Sequence, residues 1–198
     1  LMASEILKKN KSRKIVYDIK CSNQLGEVIR ENNGIPIMTK TGHSYIKSEI
    51  SKSNAILGGE MSGHIFYNDN WYGFDDGIFA ALKLLEILSS KESTTHEVFN
   101  KFTQLFNTPE IKIAVEDDEK FEIVEQLKVK LKPEGYNSIL IDGLRLENKD
   151  CWGLVRASNT TPSLILRFEA NTEQKLMEIQ ELFQKTLLEI STNLKFLN

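Results

Sequence analysis

Polar side chains able to do chemistry crowd into one glycine-rich stretch, GGEMSGHIF at residues 58–66. Glu60 can accept hydrogen bonds from vicinal hydroxyls, and Ser62 can donate or accept one, which is a pairing suited to a sugar or polyol. His64 could move a hydroxyl proton, because histidine exchanges protons near neutral pH. The neighbouring glycines indicate positive φ or close approach of the backbone to a ligand. The alternative is a turn with a capping glutamate.

A second polar stretch, RASNTTPSLILR at residues 156–167, could bind an anion. Arg156 offers a planar fork of donors to phosphate oxygens, and the hydroxyls of Ser158 and Thr160 could add to it, together with loop N–H groups. The alternative is an ordinary hairpin loop, since Ser, Asn, Thr and Pro are turn formers. The acidic run EDDEK at residues 116–120 lacks the spacing of metal ligands and predicts a solvated turn with a helix cap.

Strands and helices alternate in the first half of the sequence. Strand candidates cover residues 14–19, 35–39 and 54–58, and helix candidates cover 23–32 and 44–51. This α/β pattern predicts a parallel sheet of βαβ units with right-handed crossovers. Lys20 follows the first strand, His43 the second and the glycine-rich stretch the third. Because ligands bind beyond the carboxyl ends of such strands, we expect these residues to converge on one edge of the sheet.

The second half predicts a small α+β domain. Strand candidates lie at residues 110–117, 138–147, 151–158 and 163–170, with a helix candidate at 119–131. Short turns between the last three strands predict antiparallel pairing. Two longer helices complete the pattern. One starts at Asp75, with Asp75 or Asp76 as its cap and helical apolar spacing at positions 78, 82, 85 and 88. The other starts near position 172, where Asn171 and Gln174 resemble a capping box, and its apolar stripe is Leu176, Ile179, Phe183, Leu187 and Ile190.

Composition excludes several classes of protein. The net charge of −3 provides no basic field for nucleic acid, and no long apolar run predicts a membrane span. Cys21 and Cys151 lie far apart, so neither a disulfide framework nor a zinc site follows, and a cytoplasmic protein is expected. Asn and Pro break the pattern at residues 106–110, which predicts two domains, 1–105 and 106–198.

Four stretches together resemble the α-D-phosphohexomutase family, and within it the bacterial phosphomannomutase/phosphoglucomutase branch. GGEMSGHIFYNDNWYGFDDGIFAALKLLEIL is similar to the sugar-specificity loop and following helix, and VRASNTTPSLILRFEA to the C-terminal phosphate-binding loop. YDIKCS and KTGHSYIK match two further active-site segments. The matches keep the family's order and span nearly the whole chain. The aminosugar branch has a loop of the RPSGTEP type, from which RASNTTP departs.

The resemblance implies most of the family's third domain followed by its fourth, which has a fold like the TATA-box-binding protein. It implies interconversion of hexose 1-phosphate and hexose 6-phosphate, for mannose and glucose, through a phosphoserine and a bisphosphorylated sugar. The phosphoserine and the magnesium-binding D-x-D-x-D loop belong to the first two domains, and neither motif occurs here. The sequence therefore predicts a C-terminal fragment that is inactive alone, with its own N-terminal domains as partners and Mg²⁺ bound outside this chain.

The resemblance also implies which residues act. His64 is the first candidate for the general acid or base and His43 the second, while strand ends and the phosphate loop are expected to enclose one pocket. The implied substrate-binding residues are Lys20, His43, Glu60, Met61, Ser62, Gly63, His64, Arg156, Ala157, Ser158, Asn159 and Thr160. Two alternatives stay open, a phosphoglucosamine mutase and a non-catalytic sugar-phosphate-binding module.

Overall fold

The computed structural model describes residues 1–10 and 12–196. The chain divides into two units, Leu1–Gln104 and Leu105–Asn198. In the described part of the chain, every helix is too short or too polar to cross a membrane.

The first unit is a four-stranded sheet with helices on both faces. Its elements are α1 (Met2–Lys9), β1 (Lys14–Asp18), α2 (Asn23–Glu31), β2 (Ile35–Thr39), α3 (His43–Ser53), β3 (Leu57–Gly59), β4 (Ile65–Tyr67), α4 (Gly77–Ser89) and α5 (Thr95–Phe99). The strand order is β2-β1-β3-β4, in which β1 pairs in parallel with β2 and β3. The predicted parallel core is therefore present. The edge strand β4 was not predicted, and it runs antiparallel to β3.

Alternation of side chains along β1 separates two apolar cores. Ile15 and Tyr17 lie in the core that α1 and α2 cover, whereas Val16 lies in the core that α3 covers. Gly58 allows α3 to pack closely on the sheet, because a Cβ at this position would lie 2.6 Å from Cδ1 of Ile50. Since β1 is buried on both faces, a polar residue at its end must find its partners in the loops around it.

Helix α4 begins as predicted but buries a different face. Asp76 is its N-cap and accepts a hydrogen bond from the backbone N–H of Phe79 at 2.9 Å. The aliphatic residues whose spacing predicted the helix include three that stay largely exposed, by 78%, 60% and 62%: Ile78, Leu82 and Leu85. Spacing therefore predicted the helix correctly without identifying its buried side.

The second unit is an antiparallel sheet with two helices. Its elements are β5 (Phe106–Asn107), β6 (Ile111–Ala114), α6 (Lys120–Lys130), β7 (Asn137–Ile139), β8 (Leu144–Glu147), β9 (Cys151–Ala157), β10 (Ser163–Ala170) and α7 (Glu173–Ile190). The order is β5-β10-β9-β8-β7, and β6 also pairs with β10. The prediction of one strand over 138–147 is wrong, because a turn at Gly143, with φ +86°, separates β7 from β8.

Helix α7 packs its predicted stripe into the core of the second unit. Ile179, Phe183 and Leu187 are fully buried, and the ring of Phe183 meets that of Phe168 edge to face at 5.5 Å. The predicted capping box is wrong, because the N-cap is Thr172, whose hydroxyl accepts the backbone N–H of the residue three positions on at 3.2 Å.

Candidate functional site

One buried carboxylate, that of Asp18, connects the ends of three strands in the first unit. Its Oδ1 accepts the backbone N–H of Lys20 at 3.2 Å, the thiol of Cys21 at 3.2 Å and the backbone N–H of Met61 at 3.4 Å. The hydroxyl of Thr41 lies 3.5 Å from Oδ2. Because Asp18 is completely buried, these contacts fix the segments that follow β1, β2 and β3 relative to one another.

The GGEMSGHIF stretch is a β-hairpin that carries its polar residues on the loop between β3 and β4. The backbone N–H of Glu60 donates to the carbonyl of His64 at 2.9 Å, and that of Gly63 donates to the carbonyl of Glu60 at 3.0 Å. Gly63 has φ +93°, as the last residue of a three-residue hairpin loop requires. The backbone thus makes the turn, while the side chains of Ser62 and His64 stay exposed.

Glu60 lies at the centre of this edge. Its Oε1 is buried and has no hydrogen-bond partner among the described residues, and its Oε2 lies 3.5 Å from the hydroxyl of Ser62, a long contact. Burial raises the pKa of Glu60, and the charge of Asp18 raises it further. The groups that act in the opposite direction are His64, Lys20 and His43. Three of the predicted residues, Lys20, His43 and His64, therefore lie near enough to act on the charge of Glu60.

The other predicted residues of this edge occupy distinct positions. Lys20 is buried directly after β1, and His43 is the exposed first residue of α3. The N-cap of α3 is Gly42, so His43 does not cap this helix. Met61 is half-buried and packs against the core under α1 and α2, so what it presents to the site is backbone.

His64 is held by a carboxylate that the sequence analysis assigned only to capping. Its Nδ1 lies 2.7 Å from Oδ2 of Asp75, and the imidazole is 52% exposed. A single β-bridge between Phe66 and Asp75 holds the backbone of the acidic residue against β4. If Nδ1 carries the proton in this bond, Nε2 is the free acceptor of the ring.

The predicted phosphate loop closes on itself at Ser158 in the second unit. The Ser158 hydroxyl accepts the backbone N–H groups of Thr160 and Thr161 at 3.3 and 3.2 Å and the hydroxyl of Thr161 at 2.8 Å. Ser158 is 5% exposed, whereas Asn159 and Thr160 are exposed. Ser158 thus shapes the loop, and the N–H group of Thr160 is already used within it. Ala157, the last residue of β9, is buried before the loop begins.

The acidic run at residues 116–120 supports the same loop. Lys120 is buried at 4% exposure, pairs with Asp117 at 2.6 Å and donates to the carbonyl of Thr161 at 3.3 Å. The four acidic residues of the run, 116–119, are exposed. Across residues 1–10 and 12–196, no group of three or more His, Cys, Asp or Glu side chains is arranged to hold a metal ion.

A cavity of ≈ 530 Å³ lies elsewhere in the first unit, between α1 and α4, and none of the predicted site residues lines it. Trp71 and Phe79 stack there with ring centroids 4.1 Å apart. We place the candidate site at the strand ends rather than in this cavity, because charged and hydrogen-bonding groups converge on Glu60.

Sequence reasoning missed three carboxylates that organise the predicted residues: Asp18, Asp75 and Asp142. In the second unit, Asp142 accepts the Nε–H of Arg156 at 2.8 Å. Asp18 had a usable signal, because it is a charged residue at the end of the apolar run KIVYDI. Asp142 had another, because an Asp-Gly pair is a hairpin signal even inside a run that reads as one strand. Asp75 had none beyond its place before a helix.

Two family profiles together match most of the chain. The profile described as phosphoglucomutase/phosphomannomutase, alpha/beta/alpha domain III, matches residues 1–106, and the profile of the C-terminal domain of the same proteins matches residues 110–185.

Individual relatives are also similar over nearly the whole chain. The phosphomannomutase/phosphoglucomutase of Pseudomonas syringae pv. tomato is 47% identical over 194 residues, and a phosphoglucomutase of Neisseria meningitidis is 45% identical over 196 residues; each match covers 98% of this chain. A crystal structure of a phosphoglucomutase/phosphomannomutase family protein from Burkholderia thailandensis superposes with a TM-score of 0.91 at 40% identity and covers 99% of this chain. This chain spans 42% of the length of each of these proteins.

Proposed function

This chain belongs to the phosphoglucomutase/phosphomannomutase family, and on that basis we propose that it is the sugar- and phosphate-recognising part of a hexose phosphate mutase. The complete enzyme interconverts hexose 1-phosphate and hexose 6-phosphate, with mannose and glucose as the sugars. A phosphoserine in a preceding part donates its phosphoryl group, and a bisphosphorylated sugar then returns the other one. The Mg²⁺ of the family binds in that preceding part, and no residue of this chain is assigned to it.

One observation carries the proposal for the first unit, the buried Oε1 of Glu60, which lacks a partner among the described residues. A buried carboxylate oxygen without a hydrogen bond is costly, so a site that leaves one open is suited to a ligand that donates to it. Vicinal sugar hydroxyls are such donors, and Ser62 stands beside Glu60 to bind one of them. Lys20 supplies positive charge for an anionic sugar at the same edge, and His43 supplies a ring nitrogen that can form a hydrogen bond.

His64 is proposed as the general acid or base. Asp75 orients the ring through Nδ1, which leaves Nε2 as the atom that takes a proton from a sugar hydroxyl or returns it. The half-exposed ring can be reached by a substrate, since 52% of its surface is open. His43 is the second candidate for this role. In the second unit, Arg156 and the 158–160 loop are proposed to hold the phosphate that is not reacting.

Binding to this chain tests both recognition roles. Glucose 1-phosphate and inorganic phosphate are titrated into the ¹⁵N-labelled protein while amide shifts are followed. We expect shifts at residues 60–64 and 156–160 with the sugar phosphate, and at 156–160 alone with phosphate. Glu60→Ala should weaken sugar phosphate binding only, Arg156→Ala should weaken both, and the exposed Glu27→Ala should weaken neither. Shifts confined to other segments would refute the assignment.

Catalysis needs the preceding part of the enzyme. The chain is combined with the preceding part of the Pseudomonas syringae relative, and single-turnover phosphoryl transfer is measured. His64→Ala should slow transfer roughly 100-fold, and an unchanged rate would remove His64 from the role. Turnover of glucosamine 6-phosphate without turnover of mannose 6-phosphate would assign the chain to the aminosugar branch. No turnover of any sugar phosphate, with binding intact, would support the non-catalytic binding module.

A further inference from the structure

The turn between β7 and β8 lies against Arg156 and carries a carboxylate that bonds to it. Oδ2 of Asp142 accepts the Nε–H of Arg156 at 2.8 Å. The two side chains are only 15% and 7% exposed, so solvent screens this pair little. Asp142 was not among the predicted site residues, because the run 138–147 reads as a single strand.

The backbone of the same turn is fitted to the strand that carries Arg156. Gly143 has φ +86°, and a Cβ on it would lie 2.2 Å from the carbonyl oxygen of Val155 and 2.8 Å from Cα of Arg156. Only glycine fits this position without moving backbone. The turn thus rests directly on β9, which keeps Asp142 at a fixed distance from the guanidinium.

The contact with Asp142 uses only one side of the Arg156 guanidinium, the Nε side. Nε–H is the donor used by Asp142, and Arg156 has no second hydrogen-bond partner among the described residues. The side chain is 7% exposed, and the two Nη groups are the donors that the bond to Asp142 does not use. Since the guanidinium is planar, a bond at Nε fixes the direction in which the two Nη groups point.

We propose that Asp142 is a positioning residue that holds Arg156 in the orientation in which its Nη groups bind the phosphate of the substrate. The inference rests on the proposed function of the second unit. The expected change in phosphate affinity on removal of Asp142 has a definite direction. The negative charge of Asp142 by itself weakens anion binding, whereas its hydrogen bond strengthens binding by ordering the guanidinium in advance. If positioning dominates, removing Asp142 weakens phosphate binding although it removes a negative charge.

Two substitutions separate positioning from charge. Asp142→Ala removes the acceptor, whereas Asp142→Asn keeps an oxygen acceptor and removes the charge. We expect Asp142→Ala to raise the Kd for glucose 1-phosphate and for inorganic phosphate roughly tenfold, and Asp142→Asn to leave each Kd within about threefold of wild type. Glu147→Ala is the matched control, because it removes the acceptor of a second Arg–carboxylate pair of the same sheet, between Arg145 and Glu147 at 3.1 Å. This control should leave the Kd unchanged.

The Nε–H resonance of Arg156 gives a readout that needs no ligand. In wild type this proton should exchange slowly with water because it is bonded to Asp142, and the protection should be lost in Asp142→Ala and retained in Asp142→Asn. Equal or tighter phosphate binding by a folded Asp142→Ala variant would overturn the proposal. If wild type binds neither ligand, the proposed function of the second unit fails. The exchange of the Arg156 Nε–H still decides whether Asp142 holds the guanidinium.

Discussion

Asp18 is the side chain whose removal should disturb the candidate sugar site most directly. Truncation to Ala leaves the backbone N–H groups of Lys20 and Met61 without the acceptor they now use. Each buried donor left unpaired costs about 1–3 kcal/mol, while the thiol of Cys21 is a weak donor that adds little. The expected loss for Asp18→Ala is therefore about 2–6 kcal/mol of unfolding free energy.

Asp18→Asn should cost much less, for a reason visible in the contacts. Three donors meet Oδ1, which an amide oxygen can replace, and the hydroxyl of Thr41 meets Oδ2. A hydroxyl can also accept from the new amide group, so this contact can be kept with its direction reversed. We expect a loss of about 1 kcal/mol, since bonds to a neutral acceptor are weaker than bonds to a carboxylate.

The two tryptophans allow unfolding of each unit to be followed separately, because Trp71 lies in the first unit and Trp152 in the second. After labelling with fluorotryptophan, thermal unfolding is followed by ¹⁹F NMR. For a unit of this size about 1 kcal/mol shifts the melting temperature by roughly 4–8 °C, so Asp18→Ala should lower the Trp71 transition by roughly 8 °C or more. The exposed Glu27→Ala, on α2, should change stability by less than about 0.5 kcal/mol.

The order of the melting temperatures of the three variants tests whether Asp18 connects the strand ends. If Asp18→Ala melts with Glu27→Ala rather than well below Asp18→Asn, the carboxylate does not connect the strand ends as we argue. The hairpin loop gives a second check. Its amide signals at residues 60–64 should broaden or shift in Asp18→Ala below the melting temperature, because the bond from Met61 no longer fixes it.

Three further predictions concern stability. Glu60→Gln should raise the melting temperature of the first unit near pH 7 more than at about pH 4. Burial raises the pKa of Glu60, so the stability linked to its protonated form is lost as pH rises through that pKa. Glu97→Gln should lower the melting temperature near pH 7 more than at about pH 4. Hydrogen bonds from the N-cap residue lower the pKa of Glu97, so the stabilisation by its carboxylate is present near pH 7 and lost in acid. Shifts of one sign in both variants would contradict the linkage. Gly153→Ala should cost about 1–3 kcal/mol in urea denaturation, since its Cβ would lie 2.7 Å from Cε2 of Phe183. Gly77→Ala, which has open space around it, should cost nothing, and equal losses would refute the packing argument.

Strands and helices with a regular pattern were predictable from the sequence. The strands at 35–39 and 163–170 lie where the runs of branched and apolar residues predicted them, and the stripe of α7 is the buried one. Such patterns are local, because the period of the backbone decides which residues share a face. The prediction of a single strand over 138–147 was wrong for the same reason. Apolar residues on both sides of an Asp-Gly turn hide the break between two strands.

The candidate site was predictable only in part. Strand ends placed Lys20, His43 and Glu60 at one edge, because parallel topology brings successive strand ends together. Their organising partners were not predictable in this way. Asp18 and Met61 lie 43 positions apart in sequence, His64 and Asp75 lie 11 apart, and these contacts depend on where each loop ends in space.

The sequence by itself therefore determined which segments become strands and helices and which residue types stand after them. Only the tertiary structure decided which carboxylate serves which side chain, as Asp142 does for Arg156 across 14 positions. The physical reason is the different distance along the chain over which the two kinds of interaction act. Secondary structure follows from periodicity over a few neighbouring residues, whereas a hydrogen bond between segments is set by strand order, turn geometry and packing together.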